Sequence, residues 1–329
     1  MARIVNYKGL GYEDVGIVPS LSSVNSRSEI PLEGFRIVVA GMTSVICDNF
    51  LMEWAKLPKE IRPMIHIPRD SYSKQHLELI ADWKLQDWIW VGVGLKTLDI
   101  EDLALNLGYK NILLDIAHGG LKDLKNHYNR LRAKFGIESQ IITGSIATQE
   151  QANYLCNIGF DGIRSGVGTG GVCATKNVTG VHIKPVSELI NLYNFIEGND
   201  NKFILADGGF KSPSDFCKAF LLGASYCMSG FVFTKCKSAR MHIDGSGTYY
   251  GMSDKNLGVR AGQTKYSEAF TKKVETENLL SLFDILNIIW GGVRSMLSYT
   301  GFSTLESAIG QGEFCEYKTP IPYDANVWG

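Results

Sequence analysis

From about residue 85 onward, short runs of apolar residues alternate with segments whose apolar positions recur every three to four residues. The runs have the near-continuous apolar character of buried strands; they are DWIWVGVG, KNILLDIAHG, SQIITGSIA, FDGIRSGVG, KFILADGG and ASYCMSG. The segments between them have the spacing of amphipathic helices; they are LDIEDLALNLG, LKDLKNHYNRLRAKFG, TQEQANYLCNIG, VSELINLYNFIEG and SPSDFCKAFLLG. This alternation predicts a parallel sheet that is covered by helices on its outer side.

Glycine and polar residues stand where the predicted strands end. They are Asp115, Ser145, Gly166, Gly168, Asp207, Gly208, Gly209, Ser229 and Gly230. In a (β/α)₈ TIM barrel all C-terminal strand ends meet at one rim, which holds the active site, whereas an open sheet would spread them along a line. The pattern therefore predicts a single α/β TIM-barrel domain over residues 1–329. The alternation lapses over residues 236–274, and we expect this insertion to be a flap at the catalytic rim.

Composition and charge narrow the range of partners. The chain has 329 residues, 45% of them hydrophobic, and its net charge of -1 provides no basic surface for nucleic acid or anionic membranes. No run reaches the roughly 18 apolar residues of a membrane span, and the first residues lack the pattern of a secretory signal. The seven cysteines are scattered without CxxC pairs, which favours reduced thiols. We therefore expect a cytoplasmic protein that binds small molecules or copies of itself.

The stretch SGVGTGGVCATKNVTG places Cys173 in a glycine-rich loop. Backbone N–H groups in such a loop stabilise a thiolate, so Cys173 is a candidate nucleophile, with a small buried hydrophobe as the alternative. The glycines also suit phosphate binding, as does the later loop CMSGF, although no Walker motif follows. Asp207 fits either a ribose-binding carboxylate or a turn residue. Glu268 fits either a general acid–base residue or a surface glutamate.

Several longer motifs occur in the order and approximate spacing of one known family. They are GYEDVGIVPS with NSRSE, LLDIAHG, GVGTGGVCATK, ADGGFKSPSDFCKAFLLGASYCMSG, YYGMS and WGGVRSMLSYTG. Over nearly its whole length the chain resembles the IMP dehydrogenase and GMP reductase family. The chain has no room for the CBS domains usual in the dehydrogenases, and the short interval from Gly251 to Ser267 is similar to the reductase pattern. The resemblance implies NADPH-dependent reductive deamination of GMP, or of a close purine analogue, to IMP, with NADH as an alternative cofactor.

The resemblance also implies roles for individual residues. Cys173 would attack C2 of the purine to give a thioimidate, while Thr175 and Glu268 would pass a proton to the departing ammonia. The implied substrate-binding residues are Met42, Gly171, Asp207, Gly208, Gly209, Ser229, Gly230, Tyr250, Gly251, Met252, Ser253, Lys265 and Ser267. Asp115, Ala117 and Lys176 would contact the cofactor. Backbone carbonyls of Gly166, Gly168 and Cys173 would hold a monovalent cation such as K⁺, and the protein would form a homotetramer.

Several positions depart from the family pattern, which in the cysteine loop is similar to G-x-G-P-G-S-x-C-T-T-R. The departures are Thr169, Gly171, Ala174 and Lys176 within the loop, and Thr43, Ser145, Phe231 and Lys265 outside it. Gly171 supplies no hydroxyl where the family has a phosphate-binding serine, and Phe231 replaces a phosphate-loop glycine. Each change weakens binding of a buried phosphate by about 1–3 kcal/mol. The ligand is then a purine nucleotide held differently, or a related purine or nucleoside.

Two further hypotheses remain open at this point. One is an IMP dehydrogenase without CBS domains. The other belongs to another class, a catalytically inactive sensor or scaffold that binds purine nucleotides. Cys173, Thr175 and Glu268 are all present, which favours an enzyme.

Overall fold

Eight parallel strands close into a barrel in the computed structural model, which describes residues 8–31, 36–197, 202–251 and 269–328. The barrel strands are β2 (Ile37–Val39), β3 (Met64–Ile67), β4 (Ile89–Val93), β5 (Asn111–Asp115), β6 (Gln140–Ile146), β7 (Gly162–Ser165), β8 (Phe203–Asp207) and β9 (Tyr226–Ser229). Each strand pairs with the next, and β2 pairs with β9 to close the ring. The predicted TIM barrel is confirmed.

Helices surround the barrel. The longer ones are α1 (Asp48–Ala55), α2 (Ser73–Asp82), α3 (Leu98–Asn106), α4 (Leu124–Phe135), α5 (Gln149–Ile158), α7 (Pro185–Ile196), α8 (Pro213–Leu221) and α10 (Leu282–Thr300), and the short ones are α6 (Thr175–Val178), α9 (Arg240–Ile243) and α11 (Leu305–Ala308). Local sequence sets their ends. Thr148 and Gln151 form a capping box at the start of α5, and Gly159 ends that helix in the left-handed conformation. None of the helices in the described ranges is both long enough and apolar enough to cross a membrane.

Side-chain alternation along the strands separates two cores. Val38, Trp90 and Leu113 belong to a cluster of buried side chains inside the barrel, where the Trp90 and Phe203 rings lie 6.1 Å apart. Neighbouring residues such as Ile37 belong to the larger core between strands and helices. The same alternation therefore points alternate side chains at the strand ends into the mouth of the barrel.

Two small antiparallel pairs lie outside the barrel. β1 (Val15–Ile17) pairs with β12 (Phe314–Glu316), and β10 (Thr248–Tyr250) pairs with β11 (Thr271–Lys273). The second pair belongs to the insertion, which lies between β9 and its outer helix α10. The chain order of the insertion therefore places it after the last barrel strand, where rim loops begin.

The pattern of alternation predicted barrel units only from about residue 85, but the barrel begins earlier. β2 and β3 have three and four residues, and β3 includes the polar His66. β2 gives too few positions for an alternation to be recognised, and the polar His66 interrupts the apolar run of β3.

Candidate active site

Cys173 lies in the loop between β7 and α7 with its thiol partly buried. Its Sγ donates a hydrogen bond to Thr175 Oγ1 over 3.3 Å. Cys173 pairs with Ala269 as an isolated antiparallel bridge, and the Phe270 N–H donates to the Val172 carbonyl at 2.8 Å. The structure thus brings the end of the insertion against the cysteine loop. The candidate acid–base residue Glu268, next to Ala269 in the chain, lies outside the described residues.

Three side chains anchor the cysteine loop. Thr169 Oγ1 donates to the Asp207 carbonyl at 2.5 Å, and the imidazole Nδ1 of His182 bonds the Val167 carbonyl at 2.9 Å. Glu188, fully buried in α7, accepts the Gly166 N–H through Oε1 at 2.6 Å. Burial raises the pKa of Glu188 to about 8, against the lowering effect of the Gly166 N–H, so this carboxyl is largely protonated at neutral pH. These contacts tie the cysteine loop to β8 and α7.

Glycine is required where the loop meets the end of β8. At Gly166 φ is +106°, and a Cβ there would lie 2.2 Å from the Asp207 carbonyl oxygen. At Gly208 φ is +78°, and a Cβ there would lie 2.9 Å from the Gly170 nitrogen. These close backbone contacts explain why both segments are glycine-rich.

Arg164, at the end of β7, joins two of the predicted site residues. Its Nε and Nη2 donate to Asp207 Oδ2 at 3.0 and 2.7 Å, and its Nη1 donates to Asp115 Oδ1 at 2.5 Å. Arg69 adds a weaker ion pair to the other Asp115 oxygen at 3.7 Å. Asp207 Oδ1 accepts no hydrogen bond from any residue that the structure describes. The arrangement fixes both carboxylates and leaves one oxygen at the rim for a ligand.

The charges around Arg164 shift the pKa values of its neighbours. Burial by itself raises the pKa of Asp115, but Arg164, with His66 and Arg69, lowers it to about 2, so this carboxylate is ionised. Burial raises the pKa of Asp207, while Arg164 opposes that effect. Burial lowers the pKa of His66 to about 4, so its imidazole is neutral at pH 7. Asp115 and Arg164 therefore form the charged centre of the site.

The predicted substrate-binding residues after β8 and β9 lie on the same rim. Ser229 is buried at the end of β9, and the glycines at 208, 209 and 230 follow the two strands. A Cβ at Gly230 would lie 2.7 Å from the Tyr249 hydroxyl and 2.8 Å from Met42 Cγ. Gly251 lies against the cysteine loop, since a Cβ there would be 3.6 Å from Val172 Cγ2. The structure therefore places Met42 beside Gly230, and Gly251 against the cysteine loop.

The structure specifies the surroundings of two predicted substrate-binding residues, Tyr250 and Gly171. Tyr250 lies in β10 beside the predicted site, but its neighbour Tyr249 is the tyrosine whose hydroxyl approaches Gly230. Gly171 is exposed on the cysteine loop and faces the Phe231 ring. The candidates Met252, Ser253, Lys265 and Ser267 lie outside the described residues.

The cofactor and cation candidates lie on the side of the rim near β5 and the cysteine loop. Ala117 is exposed two residues after Asp115, and Lys176 is exposed in α6. No residue within the described ranges donates a hydrogen bond to the carbonyls of Gly166, Gly168 or Cys173. Their oxygens thus retain the ligand capacity that a hard cation requires.

Sequence reasoning missed Arg164, His182 and Glu188. Arg164 could have been noticed in the sequence, because a charged residue near the end of an apolar strand is unusual. Strand alternation points such a residue either into the barrel mouth or outward among the helices. His182 follows the cysteine loop in an irregular segment, and Glu188 lies among the apolar positions of α7. The sequence around these two residues does not indicate that His182 binds the Val167 carbonyl or that Glu188 accepts the Gly166 N–H.

Comparisons with known proteins agree with this geometry. Residues 88–320, more than half of the chain, match the model of the IMP dehydrogenase / GMP reductase domain. GMP reductase 1 from Homo sapiens is 30% identical over 93% of this chain and 94% of its own length. GMP reductase from Phytophthora infestans is 27% identical over 93% of this chain and 90% of its own length. GMP reductase from Yersinia pestis (strain Pestoides F) is 28% identical over 92% of this chain and 93% of its own length. With its closed barrel and its cysteine loop on the rim, the chain belongs to the IMP dehydrogenase and GMP reductase family.

Proposed function

We propose that the protein is a purine oxidoreductase of the GMP reductase type, which reductively deaminates GMP or a close guanine analogue with NADPH. The observation that carries the proposal is the Cys173 thiol at 3.3 Å from Thr175, in a glycine loop that pairs with the residue next to Glu268. The similarity to relatives named GMP reductase supports the same chemistry.

The residues of the loop suit covalent catalysis. The Cys173 thiolate forms a bond to C2 of the guanine ring, and the C2–N bond breaks as ammonia leaves with a proton passed through Thr175 and Glu268. The resulting thioimidate accepts a hydride at C2, and the C2–sulfur bond then breaks to regenerate the thiolate and the 2-unsubstituted purine. Covalent attack replaces one difficult displacement by two easier steps.

NADPH, when bound, supplies the hydride. The side of the rim near Asp115 fits a dinucleotide, because a fixed carboxylate accepts hydrogen bonds from ribose hydroxyls and the exposed Lys176 ammonium suits a phosphate. NADH is the alternative cofactor. A monovalent cation on the loop carbonyls and a homotetramer belong to the same proposal.

The test is an absorbance assay that measures NADPH oxidation and NAD reduction in separate reactions. We expect NADPH oxidation when a guanine compound is present, and no NAD reduction with IMP. NAD reduction with IMP instead would identify an IMP dehydrogenase. Absence of both reactions, with a purine nucleotide that still raises the melting temperature, would identify a sensor or scaffold.

Substitution of the proposed nucleophile tests the covalent step. C173A should lose turnover by at least about 10³-fold while its circular dichroism stays unchanged. C315A is the matched control, because Cys315 is an exposed free cysteine in β12. Turnover of C173A at the wild-type rate would refute the mechanism.

A further inference from the structure

The phosphate end of the proposed site can be located from the barrel itself. In (β/α)₈ barrels, phosphate groups commonly bind at the loops after the seventh and eighth strands, beside the N-terminus of a short extra helix. Here those strands are β8 and β9, and a short 3₁₀ helix, Phe231–Lys235, begins directly after Gly230. The loop that carries Gly171 lies against this same corner.

An aromatic side chain lies at this corner. A Cβ at Gly171 would lie 3.5 Å from Phe231 Cδ2 and 3.9 Å from Phe231 Cγ. The Phe231 ring also packs edge-to-face on Tyr249, with ring centroids 6.4 Å apart. The ring therefore lies beside the cysteine loop and Tyr249, at the start of the 3₁₀ helix.

Two charged side chains near this corner interact with other protein groups. Lys235, the cation of the short helix, forms an ion pair with Glu275 at 2.7 Å. Burial raises the pKa of Tyr249, and the negative charge of Asp207 adds to that effect.

The contact available to a ribose is retained. Arg164 binds Oδ2 of Asp207, and Oδ1 accepts no hydrogen bond within the described residues. A carboxyl oxygen without a hydrogen-bond donor can accept one from a sugar hydroxyl. Asp207 thus offers an oxygen to the sugar, while an apolar ring lies at the corner where (β/α)₈ barrels commonly bind phosphate.

We propose that the substrate is an unphosphorylated guanine ribonucleoside, selected over the nucleotide by the Phe231 ring against Gly171. This inference rests on the proposed function and narrows its substrate class. The reaction converts the nucleoside, NADPH and two protons into the 2-unsubstituted nucleoside, NADP⁺ and ammonium, by the bond changes described above.

The first test compares guanosine, GMP and guanine on the wild-type protein, both by calorimetric binding and by kcat/KM with NADPH. We expect guanosine to exceed GMP by about 10- to 100-fold in both measurements, the range for leaving a buried phosphate without partners, and to exceed guanine by about 10-fold. A preference for GMP, or equal binding of guanine and guanosine, would overturn the inference.

The second test enlarges the closed corner. F231G and G171S/F231G should shift the ratio of GMP to guanosine affinity toward GMP by at least about 10-fold. F283A is the control, because Phe283 is a half-exposed phenylalanine on α10 and should leave the ratio unchanged. If F231G does not fold, F231S replaces it, and the wild-type comparison stands by itself. An unchanged ratio in folded variants would overturn the assignment to Phe231.

The two proposals fail in different ways. Tight guanosine binding without NADPH oxidation would sink the proposed reaction and support the nucleoside preference. NADPH oxidation with GMP as the preferred substrate would support the reaction and overturn the nucleoside preference.

Discussion

Replacing Arg164 by methionine would leave two carboxylates at the barrel mouth without their shared counter-charge. The side chains of Arg164, Asp115 and Asp207 are only 16%, 21% and 18% exposed, so water replaces little of the lost interaction. Methionine keeps much of the length of the arginine stem and lacks every N–H donor. The variant therefore isolates the charge and the hydrogen bonds from the packing.

The magnitude follows from the pKa of Asp115 and from the burial of the pair. A folded pKa of about 2 against 3.8 for the free residue corresponds to about 2.4 kcal/mol of stability. Because this folded pKa is depressed, that stability is present above pH 3.8 and is lost as the pH falls toward 2. Removing one partner of a buried ion pair costs about 3–5 kcal/mol. With one fifth of each carboxylate in water, we expect R164M to lose about 2–4 kcal/mol at pH 7.

Urea denaturation at pH 7 and pH 4.5 measures this loss. The difference between wild type and R164M should shrink at pH 4.5, because the unpaired carboxylates of the variant take up protons there. R164K keeps the charge without the planar fork and should lose about 1–2 kcal/mol. K74A is the control, because Lys74 and Asp99 form an exposed pair that contributes less than about 1 kcal/mol. A loss in R164M no larger than that in K74A, or one that does not change with pH, would refute the reasoning.

The anchors of the cysteine loop give two further predictions. The folded pKa of Glu188, about 8, lies above its unfolded value of 4.5, so the wild-type protein loses stability as the pH rises between these values. E188Q lacks this dependence, and urea titrations should show it gaining about 2 kcal/mol relative to wild type between pH 6 and pH 8. A difference that stays constant with pH would contradict the burial of Glu188. T169V loses the hydroxyl that donates to the Asp207 carbonyl, so we expect a loss of about 1 kcal/mol in stability and a raised KM in steady-state kinetics. If stability and KM both stay unchanged, this hydrogen bond does not hold the cysteine loop.

Some of the site was predictable because it depends on local sequence. Cys173 and Thr175 are two residues apart, and the glycines around them indicate a loop that approaches a ligand. The strand segments also showed which residues stand at strand ends, and all strand ends of a parallel barrel share one rim. The roles of Cys173, Thr175 and Glu268 stay predictions until the assays above are done.

The contacts between distant residues were not predictable. Arg164 meets Asp115 from 49 positions away and Asp207 from 43. Their meeting depends on β5 and β8 lying close enough across the barrel mouth for one side chain to reach both ends. Phe231 was recognised as unusual from the sequence, but its packing against Gly171 and Tyr249 follows from the position of the 3₁₀ helix beside the cysteine loop.

The sequence by itself determined the alternation of strands and helices, the family motifs and the glycine loop that carries the thiol, because each depends on residues near one another in the chain. Only the tertiary structure decided that Arg164 binds both aspartates, that Glu188 and His182 bind the cysteine loop and that the Phe231 ring packs against Gly171. Periodicity specifies which way a side chain points. Closure of the barrel and the placement of its loops determine which other residues that side chain contacts.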